Sequence, residues 1–185
     1  NLINDLLNFS RISAESVFIK TSLADIVEET LSDLELLIAE KNAKVVVHEL
    51  PVIEIIPGQI RQLLQNLLSN SLKFSGGSAP AFIEISSEAV LHQGKGRGEA
   101  DEVRITIKDN GIGFDNVYRD RIFGIFQRLH GREAYEGTGI GLAIVKKIIE
   151  KHNGTITADG TPGDGAVFTV TLPVKHTATT HLKHG

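Results

Sequence analysis

Apolar positions in the opening stretch NLINDLLNFSRIS fall on one side of a helix. Leu2, Leu6, Phe9 and Ser13 follow a four-three-four spacing with Ile3 and Leu7 alongside. The pattern predicts a helix with one apolar seam, either the end of a coiled-coil or bundle helix or a short packing helix. A strand-like piece at Val17–Lys20 follows. Ser22 is placed to cap a helix whose apolar positions run from Leu23 and Ile26 to Leu37 and Ile38. KVVVHEL reads as a strand, and Pro57 starts the next helix. Further strands are expected at Ala81–Val90 and Glu102–Lys108, with the loop HQGKGRGEAD between them. Asn110 to Glu136 shows no clean period. A helix is expected from about Gly139 to His152, then strands Thr155–Asp159 and Ala166–Leu172 joined by the turn GTPGDG. There is no internal repeat. The irregular interleaving predicts a two-layer α/β sandwich with a mixed sheet. The polar tail, residues 175–185, is expected to fray.

Composition narrows the function classes. The chain has 185 residues, 41% hydrophobic and 23% charged, as expected for a globular domain with an appendage. A formal charge of −4 gives no basic field for nucleic acid, so no nucleic-acid partner is expected. With no cysteine there is neither a disulfide framework nor a Cys-ligated zinc site. No apolar run is long enough to span a bilayer. The first residue is not Met, so the chain is read as part of a longer protein.

One helix is unusual. In QNLLSNSLKFS, Asn66, Asn70 and Lys73 share a face with Gln62, while Ile60, Leu64, Leu67 and Leu68 lie opposite. A solvated face is the competing reading, but solvated faces favour Glu, Lys and Arg, and each Asn costs about 0.6 kcal/mol relative to Ala. Neutral amides aligned with a cation suit a cavity holding a hydrated metal and phosphates, with an amide oxygen on Mg2+ and the ammonium on phosphate.

Two glycine segments add to this. In KDNGIGF, Asp109-Asn110-Gly111 alone is usually a hairpin turn, but Gly113 and the lack of an immediate return strand weaken that reading. A carboxylate that only accepts hydrogen bonds suits the exocyclic amine of adenine and repels the carbonyl of guanine. GTGIGL, from Gly137 through Thr138, Gly139 and Gly141 to Leu142, opens a helix whose free N–H groups suit phosphate. It is not a Walker P-loop. Between the two lies RIFGIFQRLHGREAYE, where Phe123 and Phe126 are candidate anchors of a mobile lid and Arg128 and Arg132 candidate phosphate contacts; a plain surface loop is the alternative.

In order, NLLSNSLKFS, DNGIGF, IFGIFQRL and GTGIGLAI resemble the N, G1, F and G2 boxes of sensor histidine kinases, across about Ser22 to Pro173. The resemblance implies a Bergerat ATP-binding fold, a mixed five-stranded sheet with three helices on one face and ATP under a lid. It implies residues 1–14 as the end of the second dimerisation helix, 15–174 as the catalytic ATP-binding domain and 175–185 as a disordered tail. Asn70 matches the family's Mg2+-binding Asn and Asn66 its upstream partner. Lys73 matches a phosphate contact, Phe74 an aromatic beside the nucleotide, and Asp109 the adenine-reading Asp. Gly111, Gly113, Gly137, Gly139 and Gly141 match glycines that let the backbone approach. The implied activity is transfer of the ATP γ-phosphate to a His on a dimerisation helix, for relay to a response-regulator receiver domain. The implied setting is a homodimer, with this domain cytoplasmic and the parent free or membrane-anchored.

One departure stands out. None of the seven His has an acidic residue and a proline after it on a helix, so the acceptor His is expected upstream of Asn1. Related ATPases carry a general-base Glu where this chain has Asn66, which disfavours rapid hydrolysis. A degenerate, non-catalytic binding or dimerisation module and a related serine kinase are the other readings.

Overall fold

The computed structural model describes residues 2–12, 17–76, 80–91, 101–129 and 137–176. Helix α1 (Leu2–Arg11) leads into strand β1 (Ile19–Ser22), helices α2 (Leu23–Asp33) and α3 (Glu35–Glu40), and strands β2 (Lys44–Val47) and β3 (Val52–Ile55). Helix α4 (Pro57–Lys73), strands β4 (Phe82–Val90) and β5 (Glu102–Asp109), helix α5 (Gly141–Lys151) and strands β6 (Thr155–Thr161) and β7 (Gly165–Pro173) complete the order. The main sheet runs β2-β4-β5-β7-β6, with β2 parallel to β4 and the other pairs antiparallel. It is the mixed five-stranded sheet that was expected. Strands β1 and β3 form a separate antiparallel pair.

Alternation decides which face the helices cover. Along β5, Val103, Ile105, Ile107 and Asp109 are buried, while Arg104 and Lys108 are exposed. On β7, Ala166, Phe168, Val170 and Leu172 line the same core. Against this face α4 buries Leu63, Leu64, Leu67, Leu68 and Leu72, and α5 buries Ile144, Val145, Ile148 and Ile149. Ile26 and Val27 of α2 join them.

Several boundaries follow local chemistry. Ser22 caps α2 by accepting the Asp25 N–H (3.2 Å), as its position predicted. The single helix expected over Leu23 to Ile38 breaks at Leu34. The break follows Thr30, whose hydroxyl donates back to the Ile26 carbonyl (2.7 Å), a bond that bends helices. Strand β3 was not foreseen: four residues between two prolines show too little alternation, and the pairing that makes them a strand comes from β1. The seam of α1 is only partly used. Phe9 packs on the core and Ile12 is buried, but Ile3, Leu6 and Leu7 are exposed. Ser13 and the loop 92–100 lie outside the described residues, as do residues 177–185 of the expected tail. His176, within that tail, is instead fixed to the body: its N–H donates to Glu54 Oε2 (2.7 Å).

A fully buried histidine joins the end of α5 to the start of α4. The Ile56 N–H, at the start of α4, donates to His152 Nε2 (3.1 Å). His152 Nδ1 faces the Ile148 carbonyl (2.7 Å). An amide N–H only donates and a carbonyl only accepts, so the ring is the neutral tautomer with its proton on Nδ1. Burial pushes its pKa down from 6.5 to about 4, outweighing the Ile148 carbonyl, which favours the charged ring. Burial also lowers His176, whose ring lies 6.0 Å from that of His152.

Above pH 6.5 the His152 ring is neutral in folded and unfolded chains alike; between 6.5 and about 4 only the unfolded chain takes up the proton. Stability should therefore fall as the pH is lowered through that window. His152→Gln keeps an acceptor for the Ile56 N–H and cannot titrate, so its thermal midpoint should lose less over the same window than the wild type. Circular dichroism melts of both proteins check this, and equal losses would refute it.

Candidate active site

Helix α4 turns its polar stripe into a cavity of about 360 Å3. Asn66, Ser69, Asn70 and Lys73 line it, and Phe74, which ends the helix, completes that wall. Asn66 is held in place: its Nδ2 donates to the Gln62 carbonyl (3.0 Å). Asn70 makes no side-chain hydrogen bond among the described residues, although its carbonyl accepts the Phe74 N–H (2.8 Å). The Lys73 ammonium lies 4.7 Å from the centre of the Phe74 ring.

A second part of the lining is built around Asp109. As the last inward position of β5, it carries a carboxylate to the place where the apolar face meets the cavity. Oδ1 accepts the Gly111 N–H (2.9 Å) and the Ala166 N–H (3.2 Å); Oδ2 accepts the Ser71 hydroxyl (2.9 Å). The following turn is no hairpin, since β5 pairs with β4 and β7. Instead Asn110 locks the strand exit, accepting the Phe82 N–H (2.7 Å) and donating to the Pro80 carbonyl (3.0 Å). The Ile112 N–H then donates to the Phe74 carbonyl (2.9 Å), tying this turn to the end of α4.

The third wall is the start of α5. Gly137, Thr138, Gly139, Gly141 and Leu142 line the cavity, and no side chain caps the helix, so its first N–H groups are left for a ligand. Arg128 Nη1 donates to the Gly137 carbonyl (2.8 Å), joining the intervening segment to this loop. Ile122, Phe168, Ile144 and Leu142 give the interior its apolar part.

Residues 56–176 match the family model described as "Histidine kinase-, DNA gyrase B-, and HSP90-like ATPase". The chain belongs to this ATPase family. Its relatives and structural neighbours lie on the histidine kinase side of it. Cyanobacterial phytochrome A of Nostoc sp. is 41% identical over 174 residues, which are 94% of this chain and 21% of that protein. Full-length ShkA, solved in complex with AMPPNP, superposes with a TM-score of 0.76 at 26% identity over 93% of this chain and 35% of its own. The nucleotide-free catalytic domain of the histidine kinase ThkA gives 0.69 at 26% identity, covering 85% of this chain and 96% of that domain. The chain spans about a fifth of the length of the phytochrome relatives it matches.

Within this family fold, most of the expected site residues meet in one place. Asn66, Asn70, Lys73, Phe74, Asp109, Gly113, Arg128, Gly137, Thr138, Gly139, Gly141 and Leu142 all line the cavity. Gly111 stands behind the wall, where its N–H holds Asp109. Phe126 is not brought in. It has a φ of 63° and is 59% exposed, and Gln127 lines the cavity in its stead. Phe123 is the buried anchor of that segment. Arg132 lies outside the described residues, as does the rest of the expected lid from 130 to 136.

Sequence reasoning missed Ser71, 2% exposed, and the Ala166 N–H. A lone hydroxyl among Leu67, Leu68 and Leu72 on the apolar face was the available signal for Ser71. Nothing in the sequence marked Ala166, because a backbone donor carries no residue type.

The glycine at 113 has a reason internal to the fold. Its φ is +62°, and a Cβ there would run into the Thr161 carbonyl of the β6–β7 turn. Gly163 shares the left-handed backbone (φ +82°) but faces open space. Gly163→Ala should therefore cost about 1–2 kcal/mol, the conformational term alone. Gly113→Ala should cost clearly more, because the Thr161 backbone must also move. Urea denaturation of the two variants tests the difference, and equal losses would show that the approach at Gly113 is soft.

Proposed function

We propose that this chain binds ATP together with Mg2+ and transfers the γ-phosphate to a histidine that lies outside it, on the dimerisation helices of a sensor histidine kinase. The observation that carries this is the meeting of three features in one cavity: the amide and ammonium stripe of α4, the uncapped start of α5, and the fixed carboxylate of Asp109. The domain division follows: 1–14 as the end of the second dimerisation helix, 15–174 as the catalytic domain, and 175–185 as a tail. Relay to a response-regulator Asp, homodimer formation and a cytoplasmic site for this domain belong to the same proposal. Among the described residues, no helix is long and apolar enough to cross a membrane.

The residues divide the work. Asp109, an acceptor held by three donors, takes the adenine amine, and Ile122, Ile144 and Phe168 bury the base. Lys73 and the first N–H groups of α5 take the phosphates. Asn70 fits the metal: its amide is a hard oxygen donor on the cavity wall with no other side-chain bond among the described residues. No cluster of three acidic or histidine side chains competes for it among those residues, so phosphate oxygens would supply further ligands. When bound, Mg2+ neutralises phosphate charge and orients the chain.

Transfer breaks the bond from the γ-phosphorus to its bridging oxygen, leaves the electron pair on ADP, and forms a phosphorus–nitrogen bond to the acceptor imidazole. Positioning and charge neutralisation supply most of the catalysis. Among the described residues no histidine lines the cavity. His48 pairs with Glu84 (2.8 Å) at the surface, and His152 and His176 lie on the Phe18 side of the core. Asn66 stands where a hydrolytic relative would need a base, and an amide cannot serve as one.

Asp109→Asn should keep the fold and lose about tenfold to hundredfold in ATP affinity, the worth of a hydrogen bond to a charged group. Asn70→Ala should lose chiefly the Mg2+-dependent part of binding. Calorimetric titrations with and without Mg2+ read both effects, and wild-type binding by folded Asn70→Ala would remove the metal role.

Radiolabelled ATP tests the transfer itself. The chain alone should take up no acid-labile label, while an added dimerisation segment carrying an acceptor His should be labelled slowly. Label on the chain alone would overturn the external acceptor. No label on the segment, with ATP binding confirmed, would favour a non-catalytic nucleotide-binding module.

A further inference from the structure

We propose that His152 is a positioning residue for nucleotide binding: by joining the end of α5 to the residue that precedes α4, it sets the spacing of the two helices that wall the cavity. The inference rests on the nucleotide reading above and deepens it. His152 itself touches no part of the cavity.

Helices α4 and α5 pack against each other in the core, and the His152 bond pins one end of that pair. At the pinned end, His152 follows α5 and receives the N–H of Ile56, the residue before α4. At the open end, Gly141 begins α5 beside Asn66 of α4, so close that a Cβ on Gly141 would lie 3.1 Å from Asn66 Oδ1. Gly141 is about 17 Å from the pin and Asn66 about 15 Å, at 1.5 Å of rise per residue. Over these lengths, a slight turn about the pin becomes a change in how Asn66, Asn70 and the start of α5 face each other.

The pin is specific in its chemistry. Ile56, at the N-cap of α4, makes no side-chain cap bond, and the imidazole supplies the acceptor for its own N–H. The second ring nitrogen is held by Ile148, which fixes the tautomer and the ring angle. The Phe18 ring packs against the imidazole at 5.1 Å (edge-on), and His176 stacks on Phe18 at 3.8 Å. The charged and titratable groups around the ring are Lys151 on α5, His176 after β7, and Glu54 on β3, which accepts the His176 N–H. Lys151 is itself turned to the Ile12 carbonyl after α1 (2.6 Å). A proton on Nε2 would set a second N–H against that of Ile56 and undo the pin.

Two side chains separate the positioning role from simple stability. Glutamine reaches as far as Nε2 and keeps an acceptor for Ile56. Asparagine reaches only as far as Nδ1, keeps the bond to Ile148 and leaves Ile56 without a partner. Both lose core packing. With the full chain, His152→Asn is expected to bind Mg-ATP about tenfold more weakly than wild type, and His152→Gln within about threefold of it. Melting without nucleotide shows that each variant is folded.

The coupling must also run backwards, because linkage is reciprocal. Mg-ATP should slow hydrogen exchange at the Ile56 amide of the wild-type chain, far from the cavity, and this needs no variant. Wild-type affinity in folded His152→Asn would overturn the proposal while leaving nucleotide binding intact. Should His152→Asn not fold, unchanged exchange at Ile56 on adding Mg-ATP would overturn it. If the wild-type chain binds no ATP, both this role and the nucleotide reading fall.

Discussion

The carboxylate of Asp109 is the joint on which the site depends. Its three donors come from three places: the turn that follows β5, strand β7, and helix α4. A carboxylate this deeply buried is stable only when its oxygens are hydrogen-bonded. Satisfying it therefore forces those three elements to one point. Because Ser71 lies on α4 next to Asn70, the bond that completes Asp109 also sets the rotation of the helix. The stripe of Asn66, Asn70 and Lys73 then faces the same cavity as the carboxylate.

Helix α4 can carry such a stripe because its other face is so well buried. Leu67 and Leu68 are fully buried, and each contributes about 1.5–3 kcal/mol. The two asparagines together cost about 1.2 kcal/mol in helix propensity. One leucine offsets both. The apolar face holds the helix on the sheet, and the polar face is left to be chosen by chemistry. His152 fixes the far end of the same helix, so α4 is tied by polar bonds at both ends and by leucines between them.

How much of this could be read from sequence follows from the range of each interaction. The α4 stripe was legible because it is a property of one helix, and the alternation of β5 because it is a property of one strand. Ser22 as a cap was legible for the same reason. Strand β3 was not, since its partner β1 lies about thirty residues away and four residues carry little period of their own. Asp109 was recognised as an acceptor, but its donors Ser71 and Ala166 arrive from elsewhere in the chain. Phe126 shows the opposite failure. An aromatic in a polar segment invites an anchoring role, yet a left-handed backbone turns it outward, and no local pattern announces a positive φ at phenylalanine.

The finished cavity brings an acceptor, cations and apolar walls together. Asp109 gives it an acceptor aimed at a hydrogen-bond donor. Lys73, Arg128 and the start of α5 give it positive character, although the chain as a whole is formally −4. Ile122, Ile144 and Phe168 supply apolar wall. A ligand that satisfies these groups carries a hydrogen-bond donor, an apolar body and an anionic group. Setting the anionic group against the carboxylate would be repulsive, so the charges of the cavity favour one orientation. Each feature alone is common on protein surfaces. Here they meet in a single cavity, and one carboxylate with three donors from three elements holds that meeting together.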